Sequence, residues 1–128
     1  PNWGIMNSSQ MLYHCNKYIE VSFGIKKIYF VNRILFRYFF LQYLKYLEFD
    51  ITKFKKNAKT LKIFKSYPLS IDFNNEKERL IENLKKVRNI DDKTIQHQLY
   101  GYISPNLFKK LIVFHTSYHF SQFGILSD

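Results

Sequence analysis

The sequence predicts an α+β protein. Residues 1–72 form a helix-strand-helix-hairpin N-terminal lobe with a basic hairpin, and residues 73–128 a helix followed by a small β-rich C-terminal lobe. Three observations predict this. From Gly24 to Leu47 apolar residues recur at helical spacing: Ile28, Val31, Ile34, Leu35, Tyr38, Phe39, Leu41, Leu44 and Leu47. The period then shortens to two. Phe49 and Ile51, then Leu61 and Ile63, flank a polar Lys-Lys-Asn-Ala-Lys turn, which is the pattern of a β-hairpin. Finally, Leu111-Ile-Val-Phe114 is a short unbroken apolar run that suits a buried strand.

Taken in order, Trp3–His14 predicts a short helix, weakened by Gly4, Asn7, Ser8 and Ser9. Tyr18–Phe23 predicts a strand that ends at Gly24. The long helix that follows carries one narrow basic ridge of Lys26, Arg33, Arg37 and Lys45. Its apolar residues exceed the roughly 100° stripe a surface helix needs. It is therefore expected to be almost fully enclosed, with its Ile34/Tyr38/Leu41 side on its own sheet and other aromatics against a partner. Pro68 and Asp72–Asn75 mark the lobe boundary. Asn75 predicts an N-cap, with Glu78 three residues on, for a helix over Glu76–Arg88 striped by Leu80, Ile81, Leu84 and Val87. Gln98–Ile103 predicts a strand interrupted by Gly101, and Ser104-Pro105 a turn or helical stub.

Charge is concentrated. The chain has net charge +10, and residues Val21–Ser70 hold eleven Lys/Arg against Glu48 and Asp50. Such a concentration suits a polyanion better than a generally basic surface. The hairpin supplies Lys53, Lys55, Lys56, Lys59, Lys62 and Lys65 with no acid between them, a candidate phosphate-binding element. Its bland alternative is a solvated Lys-rich turn. The aromatic fraction of 19% carries less information, because Lys, Asn, Ile, Phe and Tyr make up 63 of 128 residues. Those five have A+T-rich codons, and extreme A+T pressure is common in organellar genomes.

Several classes are disfavoured. A single cysteine, Cys15, excludes an internal disulfide framework and a multi-cysteine zinc site. Ile28–Leu47 carries Arg33, Arg37 and Lys45, too much charge for a transmembrane span, though an in-plane interfacial helix stays open. The start shows no secretory pattern, so the chain is expected to be processed already or made where it works. His14 and Cys15 are adjacent, so their side chains diverge. His115 and His119 have the i, i+4 spacing of a zinc-binding helix, but His115 follows a β-type run and no Glu neighbours it. Ordinary polar contacts are expected there. Asp91-Asp92 read as solvated charge, and no glycine-rich phosphate loop is present. No catalytic residue, metal, cofactor or small-molecule substrate is expected, and the chain is not expected to be an enzyme.

The closing residues Leu111-Ile-Val-Phe-His-Thr-Ser117, then Gly124-Ile-Leu-Ser-Asp128, resemble the C-terminal signature of the small-subunit ribosomal protein eight family. In that signature a buried strand runs into Ser-Thr-Ser, one residue, Gly, an apolar pair and Ser/Thr. Asn7–Phe23, Gly24–Phe39, the ITKF and TLKIFKSY stretches, RLIENLKKVRN and YGYIS resemble earlier segments in the family's order. The sequence departs at His115, which stands where the family has its first Ser, and at Tyr118–Phe123, six residues where it has one. The resemblance implies binding to ribosomal RNA, with Thr116, Ser117 and Gly124 at the contact and neighbouring ribosomal proteins as partners. The expected function is thus a structural component of an organellar, mitochondrial small ribosomal subunit. The alternative is a peripheral accessory subunit of an organellar membrane complex of the respiratory-chain or ATP synthase kind.

Overall fold

Asn7 starts the first helix. In the computed structural model, which describes residues 1–28 and 33–126, its Oδ1 accepts the Gln10 backbone N–H, while Gln10 Oε1 accepts that of Asn7, each at 2.9 Å. This reciprocal cap satisfies two donors that a helix start leaves unpaired. Helix α1 then runs Ser8–Ser22. Met11, Leu12, Cys15, Tyr18, Ile19 and Val21 are all buried, so the helix is surrounded and not laid on a surface.

The predicted strand Tyr18–Phe23 is therefore the last turn of α1 and its cap. The β-branched pair Ile19 and Val21 imitates alternation over six residues, but the burial of Met11, Cys15, Ile19 and Ser22 follows the helical period. A short backbone preference yields to the longer pattern and the cap.

After α1 the chain turns through Gly24, at φ 76°. Val31 of the predicted apolar face, and Ser127 and Asp128 of the closing motif, lie outside the described residues. Helix α2 (Arg33–Leu35) passes into a π-helical stretch, Phe36–Phe40, and on into α3 (Leu41–Tyr46). The π stretch adds a residue to the turn and rotates the face the helix offers. Phe36 and Phe40 face the protein, against Tyr100 and Phe54, and Leu41 and Leu44 are buried. Ile34 and Tyr38, expected on the inner side, are 70% and 60% exposed. Arg37 also leaves the predicted ridge for a structural role. Its Nη1 donates to the carbonyls of Tyr100 and Tyr102, at 2.9 Å each.

No hairpin forms from Phe49 to Ile63. Residues Ile51–Lys53 and Lys62–Lys65 are single 3-10 turns joined by a loop. Aromatic anchors hold the loop in place of a strand ladder. Phe54 packs edge-on to Phe114 and Tyr118, with centroids 5.2 and 5.3 Å away, and Phe64 is buried.

Helix α4 spans Phe73–Arg88 and begins three residues before the predicted start. Asp72, not Asn75, is the cap, its Oδ1 accepting the Asn75 N–H at 2.8 Å. Strands β1 (Ile95–His97) and β2 (Gly101–Ile103) then pair antiparallel, His97 opposite Gly101. This is the only sheet among the described residues. Ser104-Pro105 is no stub. Ser104 Oγ accepts the Leu107 N–H, Pro105 fills the first turn, and α5 continues over Pro105–Gln122. The expected buried strand Leu111–Phe114 is therefore helical. Alternation would put Leu111 and Val113 on one face, yet Leu111 is buried and Val113 is 59% exposed. The molecule is accordingly α+β but mostly helical, and one cluster of buried residues draws on both halves, from Met11 through Leu80 to Phe114.

His97 closes the β-turn onto α1. The Leu99 N–H donates to its Nδ1 at 3.0 Å, so its proton sits on Nε2 and donates to Ser22 Oγ at 2.8 Å. Ser22 in turn donates to the Tyr18 carbonyl at 2.7 Å. Burial lowers the His97 pKa to about 3, keeping the ring neutral. In the unfolded chain it titrates near 6.5, so below that pH the unfolded state binds the extra proton and stability falls with pH, down to about 3. From pH 6.5 to 5 this one group is expected to cost on the order of 2 kcal/mol. Urea unfolding at several pH values checks it. In His97→Gln the pH dependence should flatten by about one proton, and an unchanged slope would refute the neutral tautomer.

Candidate polyanion-binding surface and a buried histidine cluster

The lysine segment is a shaped loop with its apolar residues inward and its charges out. Lys53, Lys55, Lys56, Lys59, Lys62 and Lys65 are all exposed. Tyr118 of α5 grips the loop from below. Its hydroxyl donates to the Lys55 carbonyl at 3.0 Å and accepts the Ala58 N–H at 3.2 Å. Lys17 Nζ donates to the Ile63 carbonyl at 2.5 Å, and the His14 Nδ1–H to that of Phe64 at 3.1 Å. Asn57 takes a left-handed φ of 58°, a conformation asparagine tolerates better than most residues. Only Lys53 has a carboxylate nearby among the described residues, Asp50 at 4.0 Å, which is a weak surface pair. Lys56 lies 6.0 Å from the Trp3 ring centroid.

The structure does not gather Thr116, Ser117 and Gly124 at a strand end. Thr116 and Ser117 lie within α5, and Gly124 follows its last turn at φ 67°. The last five residues of α5, about 7.5 Å of helical rise, and its cap Phe123 lie between Ser117 and Gly124. Thr116 is buried against protein, and its Oγ1 has no hydrogen-bond partner. Ser117 is half-buried, beside a shallow cleft bordered by Phe49, Lys109 and Lys110. The small-residue contact that the resemblance implies is thus not the geometry found.

A different constellation comes together, and the sequence reading had set its members aside. Because Leu111–Phe114 is helical, His115 and His119 share one face of α5, and α1 brings His14 against them. One ring nitrogen from each lies within 4.8 Å of the others. His14 Nε2 and His115 Nε2 are 3.1 Å apart, and the three ring centroids are separated by 4.5–5.0 Å. Surrounding groups orient every ring. The Phe64 carbonyl takes the Nδ1 proton of His14, and Gln122 Oε1 that of His119 at 2.6 Å, so both present an Nε2 lone pair. His115 stacks on Tyr18, centroids 3.8 Å apart and planes at 15°. Its Nδ1 is buried with no partner, a deficit of about 1–3 kcal/mol for such an atom.

Burial depresses all three histidines, His119 to about 3. The proximity of His14 adds to the shift at His119, and that of His14 and His119 to the shift at His115. Cys15 takes no part. Its Sγ lies 3.9 Å from Met11 Sδ, and burial pushes its thiol up to about 12. An aromatic-walled cleft of about 670 Å³ reaches His115 and His119, with Phe36, Phe40, Phe54 and Lys59 among its walls. The i, i+4 pair was visible in the sequence. The contribution of His14, 101 residues away, was not.

Compared with protein-family models, with curated proteins and with solved structures, the chain matches none. No described helix is long and apolar enough to cross a membrane.

Thr116 provides a direct check on its role. A buried hydroxyl without a partner costs free energy, and valine has nearly the same shape. Thr116→Val is expected to leave stability unchanged or raise it by about 1 kcal/mol, with no effect on RNA binding. Thermal unfolding and an RNA titration read both, and weakened RNA affinity would restore Thr116 as a contact.

Proposed function

We propose that this protein is a non-enzymatic RNA-binding component of a larger assembly, the best candidate being a mitochondrial small ribosomal subunit with ribosomal RNA and neighbouring ribosomal proteins as partners. The observation that carries it is the Lys53–Lys65 loop, with six exposed lysines, no acid among them and a backbone held from the core. Lysines neutralise phosphates and release counterions, a term that needs charge density more than sequence readout. A loop already held in shape loses less freedom on binding than a mobile tail. RNA offers the phosphates, and the exposed aromatic residues Phe39 and Tyr43 line the same cleft as Lys59. Aromatic faces of that kind stack on unpaired bases.

The second reading, a peripheral subunit of an organellar membrane complex, is favoured by a separate observation. Ile34, Leu35, Tyr38 and Phe39 project from α2 and the π stretch with 54–70% of their surface exposed. That face suits a protein partner or a lipid surface.

RNA titration across salt concentrations separates the two. Four engaged phosphates give a log K against log salt slope of about −3 to −4, and Lys55, Lys56 and Lys59 changed together to Gln should remove about two to three units of it. An unchanged slope in the triple variant rejects the loop as the RNA site. Affinity for anionic vesicles in the absence of RNA affinity selects the second reading.

A further inference from the structure

We propose that His14, His115 and His119 form a binding site for a divalent transition-metal ion, zinc being the best match, that ties α1 to α5. The proposal stands apart from RNA binding and survives its failure. Three features support it: donor type, separation and orientation.

The donor set is three imidazoles, with no carboxylate or thiolate in the group. Imidazole suits zinc, copper, nickel and iron, whereas calcium and magnesium require oxygen ligands. Zinc–nitrogen bonds of 2.0–2.1 Å at a tetrahedral angle put two ligand nitrogens about 3.3 Å apart. The His14–His115 pair already stands at 3.1 Å. The widest separation in the group is no more than 4.8 Å, so a ring rotation moving one nitrogen by about 1.5 Å closes the set.

Orientation is the most informative feature. Metal-bound histidines commonly donate their second N–H to a carbonyl or carboxylate, which fixes the tautomer and aims the other nitrogen. Here the Phe64 carbonyl does so for His14, and the Gln122 side-chain carbonyl for His119. Without an ion, the facing Nε2 atoms of His14 and His115 share one proton, which His115 donates to His14. A cation satisfies inward-facing lone pairs that the protein supplies with a single shared proton.

Three protein ligands leave one coordination position. His115 and His119 border the 670 Å³ cleft, so that position opens to water or a small anion there.

The test uses the full chain, freed of purification tags and stripped with a chelator. Zinc titrated against a chromophoric competitor should give one ion per chain, and excess zinc at 100 times Kd should raise the folding constant about 100-fold. Cobalt(II) should give an intense tetrahedral visible spectrum with no thiolate band, shifted by azide at the open position. Cys15→Ala should bind as the parent does, while His115→Ala and His119→Ala should each weaken binding at least 100-fold. If neither histidine variant folds, the stoichiometry and cobalt spectrum of the parent chain decide. Less than one zinc per chain, a thiolate band, or unchanged affinity in a folded histidine variant overturns the site. A cobalt spectrum indifferent to azide overturns the open position.

Discussion

A buried asparagine shows what the architecture depends on. Asn16, on the inner face of α1, donates through Nδ2 to the Glu76 carbonyl at 3.0 Å and its carboxylate at 2.8 Å, and its Oδ1 accepts from Asn83 at 2.9 Å. An unpaired amide at that depth would cost several kcal/mol, so α4 sits on α1 in the register that satisfies it. The same helix holds α4 and the β1–β2 region through further polar groups. Glu20 pairs with Arg79, which also reaches Glu76. Ser22 takes the proton of His97, and the carbonyl of Val21 accepts from Gln98. Apolar burial alone permits α1 to slide or rotate. These bonds select one arrangement, because half-satisfied buried networks are costly.

The parts that were legible in the sequence are those set by local chemistry. Helix α4, its last-turn lysines and most of its apolar stripe were readable, but Ile81 is exposed where Asn83 is buried, and the cap was misplaced because Asp72 and Asn75 are both good caps three residues apart. The strand expected over Gln98–Ile103 was half right: Gln98–Tyr100 is the turn, and β2 begins at Gly101. The failures share a cause. Ile19-Glu-Val21, Leu111–Phe114 and Phe49–Ile51 are short β-rich stretches whose fate was decided elsewhere: by the Asn7/Gln10 cap, by Ser104-Pro105, and by Phe54 and Phe64 reaching the core. In a chain this rich in isoleucine and phenylalanine, four-residue windows look like strands wherever they fall. The misread strand in α5 also caused the visible histidine pair to be discounted, since i, i+4 residues adjoin on a helix and not on a strand.

The lysine loop and the histidine cluster meet at one residue. Phe64 closes the loop with a buried ring, and its carbonyl orients His14. Tyr118 holds the loop's middle from the same helix that carries His115 and His119. The shape of the charged surface is therefore set by core contacts and not by hydrogen bonds within the loop, where the described backbone bonds are confined to the two short turns. Lysines mounted this way keep their spacing, and a charged surface of fixed spacing discriminates between polyanions where a flexible tail does not. The binding surface depends on α1 and α5 staying in register. His14 ties the two helices together at His115, and its Nδ1–H extends the contact to the loop itself.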